Sequence, residues 1–258
     1  MKKDILITLS VLAIVAAVSF AVISHYESAA PLSVNKVELC PIDSSIVPDA
    51  EIEETITVYR DSLKRLMGVP LCKSASMMVA YRPESSLGRY VADVVFAETK
   101  RYAEEHSLPV PEFGLMNIGG IRSFLHAGTI TVGDIFCIAP FNNTLVVLSL
   151  DSADVMAMMD HVASRGGEGI ANASMTIVGD KAKNVKICGK PLSGDKVYRL
   201  ATIDYLSTGG DGFGCLVGKL EVETEETFRD ALIGHLRACG EANIAISAPE
   251  DQRITVEN

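Results

Sequence analysis

Tyr205-Leu206-Ser207-Thr208-Gly209-Gly210-Asp211-Gly212-Phe213 carries more information than any other segment of this chain. It combines an aromatic ring, a glycine-rich bend and a carboxylate within seven positions, Tyr205 to Asp211. The three glycines let the backbone take positive φ and approach another group with no Cβ in the way. Tyr205 offers a flat face for stacking, and Asp211 an acceptor for two vicinal hydroxyls. Such a loop suits a planar, hydroxylated ligand. The structural alternative is a tight turn with a core aromatic at its entrance.

Outward from this loop, the composition narrows the possibilities. The chain has 258 residues, 48% of them hydrophobic, enough for one sizeable domain or two small ones. Its formal charge is −10, and no basic stripe is interleaved with aromatics. A polyanion such as DNA or RNA needs the opposite balance, so no nucleic acid polymer is expected as a partner. A single nucleotide needs only a few well-placed cations. The chain opens with Lys2-Lys3 and then runs from Ile5 to Ile23 without a charge. At ~1.5 Å per residue those positions span ~28 Å, close to the ~30 Å hydrocarbon core of a bilayer. Residues 1–30 therefore suit a membrane anchor or a cleaved signal peptide, with Ser28-Ala29-Ala30 as a cleavage segment. Either way the remainder is expected to be exported, periplasmic or otherwise extracytoplasmic. The six cysteines are spread out with no C-x-x-C pair. They are compatible with disulfides in an exported protein or with simple buried thiols.

Residues 31–47, punctuated by Pro31 and Pro41, read as a linker, and 48–258 as the domain. Asp49 is a candidate N-cap for a helix carrying Ile52, Ile56, Tyr59, Leu63 and Leu66 at helical spacing. A short strand is expected near Met77–Ala80, then a helix from Ser86 to His106 with Leu87, Val91, Val94 and Val95 on one side. Phe113–Asn117 and Thr144–Leu150 read as strands, and Asp151–Arg165 as a helix with Asp151 at its cap. Met175–Val178, Val185–Cys188 and Val197–Thr202 suggest an antiparallel hairpin region. Thr224 is expected to cap a final helix that ends at Gly240. Helices and strands intermix without regular βαβ alternation, which points to an α+β fold rather than a doubly wound sheet.

Two further segments join a turn to ligand-sized handles. In Asn117-Ile118-Gly119-Gly120-Ile121-Arg122 a strand meets a glycine pair, and Arg122 adds a fork matched to phosphate oxygens. In Ala139-Pro140-Phe141-Asn142-Asn143 a proline stiffens the turn presenting Phe141. Each alone also fits an ordinary turn. The five histidines are isolated and expected at the surface, so no di-metal grouping is evident. No Gly-x-Ser-x-Gly elbow or P-loop occurs.

Four of these segments together resemble the C-terminal domain of the 5′-nucleotidase family, which includes periplasmic UDP-sugar hydrolases. They are Glu84-Ser85-Ser86-Leu87-Gly88, Asn117–Arg122, Pro140-Phe141-Asn142-Asn143-Thr144 and Thr208-Gly209-Gly210-Asp211-Gly212-Phe213, in the family's order and approximate spacing. The likeness runs from about Ser45 to Thr255. It implies an α+β domain, a mixed or antiparallel sheet packed with helices, preceded here by the N-terminal apolar helix. It implies a base held between Phe141 and Tyr205, where phenylalanine is common in place of the tyrosine. Asp211 would take the ribose hydroxyls, Asn117 the ribose or phosphate, and Arg122 the phosphate; Arg82 corresponds to a second phosphate arginine.

In that family the metals and catalytic residues belong to an N-terminal metallophosphatase domain, and the 47 residues before Pro48 are too few to hold one. No cofactor is therefore expected in this chain, and divalent metals only in a partner. The resulting expectation is the nucleotide-recognition part of an exported 5′-nucleotidase. It would take a nucleoside 5′-monophosphate or related nucleotide and work with a separate metallophosphatase chain. The alternatives are a membrane-tethered nucleoside- or nucleotide-binding protein without catalysis, and a fold remnant that no longer binds.

Overall fold

The computed structural model describes residues 14–21 and 39–257. Residues 14–21 are helical and exposed; the remainder of the expected leader, and residues 31–38 of the expected linker, lie outside the described residues. Among the described residues no helix is long and apolar enough to cross a membrane. Two compact units divide between Glu53 and Glu54. That division falls inside the first labelled helix, α1 (Ala50–Met67). Asp49 starts α1 as expected, its Oδ1 accepting from the Glu51 and Ile52 amides at 3.0 and 3.1 Å. The helical spacing holds, yet none of α1 is buried: Ile56, Tyr59, Leu63 and Leu66 all stay exposed.

The larger unit is α+β. After β1 (Pro70–Ser74) comes α2 (Ser86–Glu105), whose cap Ser85 Oγ accepts from the Gly88 amide at 3.2 Å. Its inward stripe includes Leu87, Val91, Val94 and Val95. Then follow β2 (Phe113–Met116), β3 (Gly128–Thr131), α3 (Val132–Ile138), β4 (Thr144–Leu150) and α4 (Ser152–Ser164). A capping box between Asp151 and Asp154 opens α4. The chain continues through β5 (Gly169–Ala171), β6 (Ala173–Val178), β7 (Lys181–Ile187), β8 (Lys190–Pro191), β9 (Tyr198–Ile203) and α5 (Asp204–Ser207). It closes with β10 (Leu220–Thr227), α6 (Phe228–Glu241) and β11 (Ile254–Glu257).

Five strands form the central mixed sheet in the order β10-β4-β9-β2-β5. Leu145, Val146, Val147 and Leu148 of β4 are all buried although their side chains alternate in direction, so both faces of the sheet are covered. A second sheet runs β11-β6-β7-β8, and β1 and β3 form a two-stranded sheet, with one isolated bridge from Ser74 to Ile246.

Three expectations are corrected here. The strand near Met77–Ala80 is instead β1 at Pro70–Ser74, and Met78 contributes only an isolated bridge to Leu125. Residues 198–203 do not extend the β6–β7 hairpin; they enter the central sheet between β4 and β2. The last helix is capped by Thr227, not Thr224, whose hydroxyl donates to the Leu145 carbonyl within the β10–β4 pair.

The register of the central sheet gathers the loops that matter. β2 and β9 run parallel, with Gly114 beside Ala201, so the turns after Met116 and after Ile203 leave from the same end. β4 is antiparallel to β9 with Leu145 opposite Ile203, which brings the turn before Thr144 to that end as well. β5 is antiparallel to β2 with Gly169 opposite Met116, adding the turn before Gly169. Four loops far apart in sequence thus emerge side by side.

Candidate functional site

At this end of the sheet lies a cavity of about 420 Å³ lined by Asn117, Gly119, Gly120, Arg122, Phe141, Asn143, Tyr205 and Asp211. Its size suits a small-molecule ligand. A cleft of similar volume, about 430 Å³, lies over β1 and the end of α6, but it presents neither an aromatic face nor a carboxylate. The structure brings five of the six expected site residues together: Asn117, Arg122, Phe141, Tyr205 and Asp211. Arg82 does not line the cavity. Its Nη2 donates to Glu168 Oε1 at 2.6 Å, because the fully buried Glu168 carboxylate needs counter-charge.

Each lining residue is held by its neighbours. Tyr205 sits at the start of α5, where its amide donates to Asp204 Oδ1 at 2.7 Å. Gly210 packs against the Tyr205 ring so closely that a Cβ there would fall 2.5 Å from Cζ. Tyr205 Oη donates to Asp211 Oδ1 at 3.1 Å and accepts from the Asp211 amide at 3.2 Å. Phe141 is half exposed, on a turn braced by Arg229 of α6. Arg229 Nη1 donates to the Ala139 and Pro140 carbonyls at 3.2 Å each, and Nη2 to Asn142 Oδ1.

Asp211 has φ 54° and ψ 19°, a left-handed conformation that costs a non-glycine residue on the order of 1–2 kcal/mol. Several contacts fix it there. Asn117 Nδ2 donates to its Oδ2 at 2.8 Å, and Arg165 donates from Nη2 to Oδ2 and from Nη1 to the carbonyl, both at 2.9 Å. His161 Nε2 lies 3.0 Å from the same carbonyl oxygen and must carry its proton there, since a carbonyl only accepts. Gly119 makes room, because a Cβ on it would stand 3.3 Å from Asp211 Oδ2. Asn117 itself is buried, and its Oδ1 has no hydrogen-bond partner among the described residues. Burial alone would lower the Arg165 pKa, but the hydrogen bond and charge of Glu168 and the charge of Asp211 more than offset it and hold it above the usual guanidinium value.

Arg165, Glu168, His161 and Arg229 were not singled out from sequence. His161, expected at the surface, is half-buried edge-on to Phe213 with ring centroids 4.4 Å apart. The one local signal for Arg165 and Glu168 was the glycine pair flanked by opposite charges, Arg165-Gly166-Gly167-Glu168. Among the described residues no three His, Cys, Asp or Glu side chains are grouped to hold a metal ion. The six cysteines, including Cys72 within β1, are free thiols.

The sequence model of the family described as 5′-nucleotidase, C-terminal domain, matches residues 69–218. This chain belongs to that family. Over 107 residues it is 38% identical to protein UshA of Yersinia enterocolitica, a span covering 40% of this chain and 20% of that protein. Over 187 residues it is 27% identical to a 5′-nucleotidase of Vibrio vulnificus, covering 69% of this chain and 32% of the relative. Among solved structures, the 5′-nucleotidase precursor of Thermus thermophilus aligns with a TM-score of 0.67 at 23% identity, over 80% of this chain and 43% of that one. The NAD nucleotidase of Haemophilus influenzae aligns with a TM-score of 0.60 at 17% identity, over 81% of this chain and 42% of that one. These structural likenesses establish the fold of the family domain. The chain spans about a third or less of the length of these curated relatives.

Proposed function

We propose that this family domain is the nucleotide-recognition part of an exported 5′-nucleotidase, serving nucleotide catabolism by binding a nucleoside 5′-monophosphate. The observation that carries the reading is the convergence of Phe141, Tyr205, Asp211 and Arg122 on one cavity from three separate loops. In this reading the base enters between the two rings, each worth ~1–3 kcal/mol of stacking. Asp211 Oδ1 accepts from a ribose hydroxyl, with Asn117 beside it in the cavity lining. Arg122, whose Nη1 donates to the Gly119 carbonyl at 3.1 Å, turns its fork to the phosphate.

Hydrolysis is assigned to a separate metallophosphatase chain with its divalent metals. Export rests on the apolar run that follows Lys2-Lys3. The curated relatives carry their greater length in one polypeptide, so reconstitution is the discriminating experiment for the partner. Mixing the 258-residue chain with a candidate metallophosphatase and divalent metal should raise phosphate release from AMP above that of the phosphatase alone. No stimulation would remove the partner from the account. Calorimetric titration with AMP and adenosine tests the recognition half directly, and absence of binding to both would end it.

A further inference from the structure

Glu168 is a charged side chain with no exposed surface, at the turn that precedes β5. Burying a carboxylate carries a desolvation penalty that an apolar residue of similar volume avoids. Three donors compensate it: Arg82 Nη2 at 2.6 Å and Arg165 Nε at 2.7 Å on Oε1, and the Ile118 amide at 2.5 Å on Oε2. Two of these partners lead straight to the cavity. Arg165, anchored through Nε, has its guanidinium plane fixed, and its two Nη groups reach the Asp211 carbonyl and Oδ2, both at 2.9 Å. Ile118 follows Asn117, whose Nδ2 donates to that same Oδ2 at 2.8 Å. The contacts close a ring from Glu168 through Arg165, Asp211 and Asn117 to Ile118 and back.

We infer that Glu168 is a positioning residue of the ligand site, locking the Asp211 loop and the Asn117–Gly120 turn into one rigid receptor for a vicinal diol. The inference rests on the nucleotide reading above and adds which residue sets its selectivity for ribose. Without Glu168 the Arg165 fork loses its anchor, and Asp211, held in a left-handed conformation partly by that fork, is free to leave it. Glu168→Gln keeps the shape but turns one of the two accepting oxygens into a donor that faces either Ile118 N–H or the two guanidinium groups. Gly167 adds a geometric reason for the turn: with φ +111°, a Cβ there would fall 2.1 Å from the Pro83 carbonyl oxygen, so the 82–84 and 165–168 segments are pressed together.

The test compares adenosine with 2′,3′-dideoxyadenosine by calorimetry on the full chain and its variants. Wild type should prefer adenosine, and Glu168→Gln should weaken adenosine by roughly tenfold to a hundredfold, the range for charge-assisted hydrogen bonds. Dideoxyadenosine should change by less than about twofold, because it lacks the hydroxyls that the clamp reads. In an Asp211→Ala background, Glu168→Gln should add less than about twofold, since coupled residues are not additive. Equal losses on both nucleosides, or full additivity with Asp211→Ala, would overturn the inference and leave the nucleotide reading standing. If Glu168→Gln does not fold, Arg165→Gln decides by the same ratio, because it leaves the Glu168 contacts to Ile118 and Arg82 in place. A wild-type chain that binds neither nucleoside overturns the nucleotide reading itself, and this inference with it.

Discussion

Gly210→Ala should damage ligand binding by displacing a single ring. A Cβ at position 210 would lie 2.5 Å from Tyr205 Cζ, 2.6 Å from Cε1 and 2.5 Å from the Tyr205 carbonyl oxygen. Carbon atoms pack at about 3.5–4.0 Å, so the ring and the backbone must separate by roughly 1 Å. The carbonyl belongs to α5 and accepts from the Thr208 hydroxyl at 3.1 Å, so the ring, which lines the cavity, is the part expected to give way. Overpacking of this kind destabilises by about 1–3 kcal/mol. Losing one base–aromatic stack weakens affinity by a further ~1–3 kcal/mol, or about five- to 150-fold. The Tyr205 Oη contacts to Asp211 break at the same time, so adenosine binding should suffer more than thermal stability. Calorimetry with adenosine and a thermal melt measure the two effects separately. Gly214→Ala is the matched control, since a Cβ there meets nothing within 4 Å. If Gly210→Ala binds and melts like Gly214→Ala, the packing assigned to Tyr205 is wrong.

Further expectations concern the domain as a whole. Arg253 is buried, bidentate on Asp93 at 2.7 and 2.8 Å and bonded to Asp251 and the Ile170 carbonyl. Asp93 is 38% exposed, so water relieves part of the loss, and Arg253→Ala should cost about 2–4 kcal/mol by urea unfolding, slightly under the range for fully buried pairs; a loss below about 1 kcal/mol would contradict the assignment. Burial pushes the Cys72 thiol up to about 11, with Cys239 nearby adding to the effect. At pH 8 it should alkylate roughly two hundredfold more slowly than an ordinary thiol of pKa ~8.5 even before occlusion is counted, while exposed Cys40, Cys137 and Cys188 react first in a mass-spectrometric time course. Hydrogen bonds from Arg253 hold Asp251 below its ordinary pKa; at Glu98 burial opposes, but His235 and Arg101 outweigh it and also lower it. Folded values below unfolded ones give stability that is present above about pH 4 and lost as pH falls through the folded values, so denaturant midpoints should hold from about pH 7 to 5 and drop toward pH 3. A midpoint that rises on acidification would reverse the sign.

Much of the architecture was legible because local chemistry and packing agree. α2 and α4 carry both caps and inward periodicity, and β4 is a largely apolar run of leucines and valines. Where they disagree, pairing prevailed. Thr224 and Thr227 each have acidic residues within the next three positions, but the Thr224 hydroxyl is taken up by the Leu145 carbonyl, and Thr227, at the end of β10, caps the helix by accepting from the Asp230 amide at 3.1 Å. β1 has little local signature, since its burial arises from β3 and from the end of α6, where a Cβ on Gly240 would fall 1.8 Å from the Leu71 carbonyl oxygen. The cavity's lining was visible because glycines and aromatics mark turns and stacking faces within single motifs. The residues that brace it were not. Glu168 and Arg165 meet Asp211 and Ile118 only because β5 starts where β2 ends, a consequence of strand order that no local window contains. The pairing of Arg82 was hidden for the same reason, since its buried partner Glu168 lies 86 positions away.

A crystal structure of the full chain grown with AMP addresses the central claim most directly. The account requires the purine between Phe141 and Tyr205, the ribose hydroxyls within hydrogen-bond reach of Asp211, and the phosphate on Arg122. Density for the nucleotide at any other surface, or an empty cavity at saturating AMP, would contradict it.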